Sequence, residues 1–380
     1  MESQSGSRVS ALSYVNSRRD LKDALHERMV NSYGSVAEEK QLEEGQNYLK
    51  TYLIESNRDI YAPGSKEIGD TKFIVEDTRD HGFLKLKTHG EQNTAYLFVD
   101  RLSDRFWAIH SLEKSTTTDS LVDSLIFPRF TDLDHPWLSN QFLENFINLP
   151  KNNFRSFSLK YEDEFHEIVG NQSGVKGLSM RLWGDTANQV LSTLRADENI
   201  SGSTTLSNVG VERDFGGRTL ISDITYQSKF TARGESVEGH FKQVREVMDR
   251  YQKLLDTIEQ DYSISYESRG GGLHISGRPI VLDFGREITN LDGFVDELFS
   301  SKKPFRLWGI KSKKEEDYYT IAGVDMHTGD KINFEISPHW MRIYLPEESC
   351  GNVVLRLYTN IQHYFDSKAE LKGGDNDRII

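Results

Sequence analysis

Residues 305–345 read FRLWGIKSKKEEDYYTIAGVDMHTGDKINFEISPHWMRIYL. Four runs rich in aromatic and β-branched residues alternate with charged or Gly-containing turns, a pattern that predicts strands. They fall at Phe305–Ile310, Tyr318–Val324, Lys331–Ile336 and Trp340–Leu345. Consecutive strands joined by short turns pair antiparallel, because a parallel crossover needs a dozen or more residues. A helix over Asn352–Phe365 follows, with an apolar stripe of Val354, Leu357, Ile361 and Phe365 suited to one face of such a sheet.

The hairpin within this stretch has a register that side-chain faces can set. A three-residue loop, Thr328 to Asp330, puts Met326 opposite Ile332, Val324 opposite Phe334 and Ala322 opposite Ile336. One face is then wholly apolar. Asp325, His327 and Glu335 share the other face with Lys331 and Asn333, and an antiparallel sheet usually solvates such a face. Lys331 opposite His327 argues against a divalent metal there, and no metal or cofactor is expected.

Outward from this stretch, Val237, Phe241, Val244, Met248, Tyr251, Leu255 and Ile258 step by four and three, which predicts a long helix capped by Ser236. The flanking positions His240, Val247 and Leu254 are too apolar for a two-stranded coiled-coil seam, so the helix should pack on its own domain. Leu21, Leu25 and Met29 predict a helix, and Leu42, Leu49 and Leu53 a second one. Phe73–Val75, Phe83–Leu86, Tyr96–Val99 and Phe106–Ile109 read as a meander. Helices are expected at Ser120–Phe127 and Asn140–Ile147, and a single strand at Leu220–Phe230. The tetrapeptide Arg-Leu-Trp-Gly occurs at Arg181–Gly184 and Arg306–Gly309, but the flanks do not align, so it is no repeat.

The fold class is therefore α+β, in two domains, each a mostly antiparallel sheet with helices packed on one face. The expected layout is a disordered tail over 1–13, a domain over 14–196, a polar linker over 197–208, a domain over 209–371 and a tail over 372–380.

Composition excludes several classes. Lys and Arg number 46 and Asp and Glu 59, a net charge of −13, which works against non-specific binding to nucleic acid or anionic lipid. A single cysteine rules out an intrachain disulfide framework. No apolar run reaches transmembrane length and no signal peptide is evident, so a cytoplasmic protein without a membrane partner is expected.

Three stretches carry candidate chemistry. Cys350 lies before a predicted helix, where the dipole could lower a thiol pKa, with His339 as its base; Glu347 and Glu348 oppose that. Arg269 and Arg278 bracket a Gly-rich loop that could hold a phosphate, though it leads into a strand rather than a helix. Lys302–Lys314 has six basic residues, among them Lys302, Lys303, Arg306 and Lys311, interleaved with Phe305 and Trp308. Basic and aromatic groups together suit single-stranded nucleic acid.

No Walker loop, nucleophile elbow, zinc motif or dinucleotide fingerprint is present. The leading expectation is a non-enzymatic interaction or regulatory component of a cytoplasmic assembly, with a protein partner. A nucleic-acid-contacting module built on Lys302–Lys314 and an enzyme with a Cys350 nucleophile are the alternatives. The sequence leaves open whether the chain is catalytic.

Overall fold

A computed structural model describes residues 12–36, 48–56, 64–68, 71–88, 95–126, 133–169, 175–269, 272–374 and 377–380. The architecture is α+β, with antiparallel sheets. The chain divides into two compact units: residues 1–135, 212–223 and 228–246, and residues 136–211, 224–227 and 247–380.

In the first unit the sheet centres on the strand Leu49–Ser56, which pairs antiparallel with Phe106–Ser111 on one side and Lys229–Gly234 on the other. Beyond Phe106–Ser111 the expected meander continues through Tyr96–Arg101, Phe83–Thr88 and Thr71–Asp77 to Gly64–Ile68. All eight residues of Leu49–Ser56 are buried. Leu49 and Leu53 were expected in a helix; Leu42 lies outside the described residues. Apart from Lys50, the run Leu49 to Ile54 is apolar, aromatic or β-branched on both faces, and a central strand covered on both sides needs no alternation. One face meets Leu21, Leu25 and Met29 of the helix Arg18–Val36 and Val237 of the long helix. The other meets Val122, Leu125 and Ile126 of the helix Ser115–Ile126.

The long helix is Val237–Thr257, and Ser236 caps it by accepting the Gly239 N–H at 2.9 Å. His240, Val247 and Leu254 are buried, as a packed helix requires. The expected strand Leu220–Phe230 is two strands, Thr219–Thr225 and Lys229–Gly234. The break falls at Ser228, whose φ of 54° no strand residue adopts and whose hydroxyl donates to Leu53 O at 3.0 Å.

In the second unit a six-stranded sheet runs in the order Leu307–Glu315, Tyr318–Asp325, Lys331–Ile336, Trp340–Tyr344, Ile280–Asp283, Glu370–Gly373. Every neighbouring pair is antiparallel. Ile280, Leu282, Ile321, Ile332, Phe334, Ile336, Met341 and Ile343 are buried on one face. The helices Leu291–Leu298 and Asn352–Tyr364 belong to the same core, with Phe294 packed on Phe365 at 4.9 Å between ring centres.

The hairpin register differs from the expected one by three residues. Gly323 faces Ile332, Ile321 faces Phe334 and Val324 faces Lys331. An odd shift moves every side chain to the opposite face. Asp325 to Asp330 forms a longer loop, closed by Asp325 N–H to Asp330 O at 2.8 Å and Gly329 N–H to Asp325 O at 2.9 Å. Gly323 explains the choice: a Cβ there would sit 3.0 Å from the Phe334 ring and 2.7 Å from Ile332 O.

Residues 197–208, expected as a linker, form a structured part of the second unit, with Ser203 and Leu206 fully buried. Most of their polar groups find partners within the fold, which lets a polar segment be buried. Thr205 donates to Gln362 O at 2.6 Å and the Leu206 N–H to Asn140 Oδ1 at 2.8 Å. Of the expected tails, residues 1–11 lie outside the described residues, Leu12 is buried, and Glu370–Gly373 is a strand paired with Ile280–Asp283.

Candidate functional site

In the second unit, Leu307–Glu315 is an edge strand that, among the described residues, pairs only with Tyr318–Asp325. Alternation along it sends Leu307 into the core and Trp308 and Ile310 to the uncovered face, where they are 48% and 67% exposed. Their cross-strand neighbours on that face are Val324 and Ala322. These four side chains make one apolar patch, which a solvated sheet face would normally replace with polar residues.

The basic strip does not present its charge together. Lys311 pairs with Asp296 at 2.6 Å and Lys313 with Asp292 at 2.7 Å, both acids on the helix Leu291–Leu298. Alternation puts these two lysines on the face opposite Trp308 and Ile310. Arg306 lies against His327 Nδ1 at 3.1 Å. Lys302 and Lys303 are exposed in the turn before the strand. What remains on the open face beside the edge strand is therefore mainly apolar.

Asp325, His327 and Glu335 were expected on one solvated face, and the structure separates them. Asp325 and His327 are buried, while Glu335 lies on the open face with Arg342 at 3.3 Å. The three-residue register difference is the cause. The Asp325 carboxylate is bonded to Arg356, to the His327 N–H at 2.9 Å and to the Thr328 hydroxyl at 3.0 Å. Three donors, one of them a guanidinium, hold the carboxylate in place, so it anchors the loop.

Cys350 and His339 do not meet. The Ser349 hydroxyl donates to Lys331 O at one end of the strand Lys331–Ile336, while His339 lies in the turn past the other end. Six strand residues separate the two ends by about 17 Å, at roughly 3.3 Å each. The helix-start N–H that could stabilise a thiolate, that of Gly351, donates instead to Glu259 at 2.8 Å. A carboxylate thus occupies the helix-start donor beside Cys350.

The Gly-rich loop joins a hairpin, Ser265–Arg269 with Gly272–Ser276, and Arg269 pairs with Gly272 through the backbone. Arg278 lies elsewhere, over the Tyr262 ring at 5.3 Å. It lines a shallow groove of about 500 Å³ with Val281, Asp283, Trp340 and Arg342. The Arg269 side chain and residues 270–271 of the loop lie outside what the structure describes.

A polar cluster that the sequence gave no reason to suspect lies in the first unit. On the central strand, Thr51 Oγ1 is 2.8 Å from His110 Nδ1 and 2.7 Å from His240 Nε2. Each imidazole is buried, and that burial pushes both pKa values from 6.5 down to about 3. Both rings are therefore neutral at ordinary pH. One hydroxyl proton between two ring nitrogens fixes the tautomers as a linked pair: Thr51 donates to one ring and accepts from the other. The far nitrogens, His110 Nε2 and His240 Nδ1, have no hydrogen-bond partner among the described residues. On the strand's opposite face Lys50 is buried, donates to Tyr48 O at 2.9 Å and Glu113 O at 2.5 Å, and is pushed by burial from 10.5 to about 8. These residues lie 59 and 189 positions from Thr51 in the chain, so no spacing in the sequence could have joined them.

The structure thus defines a two-unit antiparallel α+β protein whose expected catalytic groups are dispersed. The family model for MJECL33-like proteins matches residues 9–380, and the chain belongs to that family. One relative, the uncharacterized protein MJECL33 of Methanocaldococcus jannaschii, is 31% identical over 400 aligned residues, covering 96% of this chain and 95% of the relative. No solved structure matches the chain. Among the described residues no helix is long and apolar enough to cross a membrane, and no cluster of three metal-ligating side chains occurs.

Proposed function

We propose that this chain is a non-enzymatic interaction component of a larger cytoplasmic assembly, and that a protein partner docks on the edge strand Leu307–Glu315 by adding an extended segment. The observation that carries this reading is the pair Trp308 and Ile310, exposed two residues apart on an edge that no described strand pairs. An open edge offers main-chain hydrogen bonds, and alternate side chains supply specificity. A nine-residue edge with apolar side chains and no partner among the described residues is an aggregation hazard that proteins ordinarily blunt. Charge favours a protein over nucleic acid, since Lys311 and Lys313 are already neutralised by Asp296 and Asp292.

The test compares tagged wild-type chain with the double variant Trp308→Ala, Ile310→Lys in pull-downs from the native cell, read by mass spectrometry and the 260/280 nm absorbance ratio. Trp183→Ala, which removes another exposed tryptophan of the same unit, is the control. A stoichiometric protein retained by wild type and control, and reduced at least tenfold by the double variant, supports the reading. Equal recovery by all three overturns it. A high absorbance ratio that collapses in strong salt overturns it in favour of nucleic acid.

A further inference from the structure

The uncovered face of the six-stranded sheet is dented where its small side chains meet its large ones. Alternation sends Ile280 and Leu282 into the core and Pro279, Val281 and Asp283 to the open face. On one neighbouring strand Arg342 lies opposite Val281 and Trp340 opposite Asp283, and on the other Lys372 lies opposite Val281. Gly374, just past that last strand, adds no side chain. The result is the groove of about 500 Å³, with a floor of Pro279, Val281 and Gly374 between Arg278, Trp340 and Arg342. Arg278, Arg342 and Gly374 are exposed, and Pro279, Val281, Asp283 and Trp340 are half-buried, so every lining residue is open to solvent. The volume is ordinary for a small-molecule site.

Two guanidinium groups meet at this groove. Arg342 lies over the Trp340 ring at 4.6 Å and Arg278 over the Tyr262 ring at 5.3 Å. A guanidinium resting on a ring face keeps its N–H fork in its own plane, where the fork can meet an oxyanion bidentately. Arg342 touches Glu335 through Nη1 at 3.3 Å, and that contact comes from the strand Lys331–Ile336, on the side away from Val281. Asp283 accepts from Lys372 through Oδ2 at 2.8 Å, which balances its charge, and Oδ1 is a second acceptor site. The groove therefore offers two cations, one acceptor and an apolar floor.

We propose that this groove binds a small sugar phosphate, with the phosphate held by Arg278 and Arg342, a hydroxyl by Asp283 and the sugar ring over Val281 and Pro279 beside Trp340. A phosphate monoester carries close to two negative charges at neutral pH, which matches two guanidinium groups where a carboxylate would match one. The net charge of −13 on the whole chain disfavours a polyanion, so a small ligand fits better than a nucleic acid. The ring of a sugar has an apolar face for the floor and hydroxyls for the carboxylate. The inference is independent of docking on Leu307–Glu315, which lies at the opposite side of the sheet order.

The test uses the full-length chain and glucose 6-phosphate as probe, with inorganic phosphate and glucose as partial probes. Binding is read by calorimetry and by amide exchange of the strands Ile280–Asp283 and Trp340–Tyr344. The expected result is saturable binding of glucose 6-phosphate with slowed exchange in those strands. Each partial probe should bind at least about fivefold more weakly. Arg278→Met and Arg342→Met keep an apolar stem over each ring and should each weaken glucose 6-phosphate at least about tenfold. Val281→Phe, which fills the floor from a solvent-facing strand position, should do the same. Lys314→Met, which changes an exposed lysine outside the groove, should leave binding unaltered. No binding of glucose 6-phosphate at about 10 mM overturns the inference. So does equal binding by wild type and both arginine variants, which would place the probe elsewhere. Inorganic phosphate binding as tightly as glucose 6-phosphate overturns the sugar assignment. Capture by phosphatidylcholine vesicles carrying phosphatidylinositol 4-phosphate, without binding of glucose 6-phosphate, overturns it in favour of a lipid headgroup.

Discussion

Replacing Thr51 with valine keeps the shape of the side chain and removes one hydroxyl from beneath two buried histidines. Two hydrogen bonds disappear, at 2.8 Å and 2.7 Å, and His110 Nδ1 and His240 Nε2 lose their partner. Each newly unsatisfied buried group costs about 1–3 kcal/mol, while the added methyl recovers about 1 kcal/mol of apolar burial. The net expectation is a loss of about 3 kcal/mol from the first unit, within a range of about 1–5 kcal/mol. Valine's high strand propensity works in the opposite direction, so a loss of this size has to come from the hydrogen bonds. Thr51→Ser retains the hydroxyl and gives up only a methyl, about 1 kcal/mol.

Two readouts isolate the effect. Trp107 is the sole tryptophan of the first unit and is buried, so its fluorescence during urea unfolding follows that unit when the other four are replaced by phenylalanine. Amide exchange in Leu49–Ser56 and Phe106–Ser111 should accelerate by roughly 30-fold or more, the equivalent of about 2 kcal/mol. A valine variant within 0.5 kcal/mol of wild type would refute the network, and so would a serine variant as unstable as the valine one.

Acid should weaken the first unit, because His110 and His240 have folded-state pKa values near 3 against 6.5 unfolded. The unfolded chain binds protons first as pH falls, so the stability present above pH 6.5 declines below it, by about 2 kcal/mol per histidine at pH 5; urea midpoints across pH 8 to 5 check this, and His240→Gln should halve the slope. Lys50 has the opposite sense: its value of about 8 lies below the unfolded 10.5, so stability should rise by about 2–3 kcal/mol between pH 8 and 10, and Lys50→Met should abolish that rise. Arg356→Met leaves the Asp325 carboxylate buried and unpaired, which should cost the second unit about 3–5 kcal/mol in denaturant unfolding; adding Asp325→Leu should recover most of it. Gly323→Val drives a side chain into Phe334 and Ile332 O, and a loss under 1 kcal/mol in the same assay would contradict the register.

Alternation and turn chemistry made the elements legible. The four strands after residue 305 and the helix Asn352–Tyr364 sit where their aromatic and apolar spacing puts them, and the cap at Ser236 forms as its hydroxyl position implies. These are local properties, written within a few residues of each other. Leu49–Ser56 differs from the helix its leucines predict, because a strand buried on both faces carries no period to separate it from a helix.

Tertiary structure alone decided the rest. The hairpin register depended on a Phe334 ring lying over Gly323, a contact between strands that a face count in one hairpin does not weigh. That single choice buried Asp325, exposed Ala322 and dissolved the polar face expected from the sequence. The burial of 197–208 depended on Asn140 and Gln362, which accept its donors from distant segments. Thr51, His110 and His240 share no local pattern, and only the pairing of strands with the long helix brings them to one hydroxyl. Period and propensity act over a few residues, whereas the satisfaction of buried polar groups is settled between residues that the fold has already made neighbours.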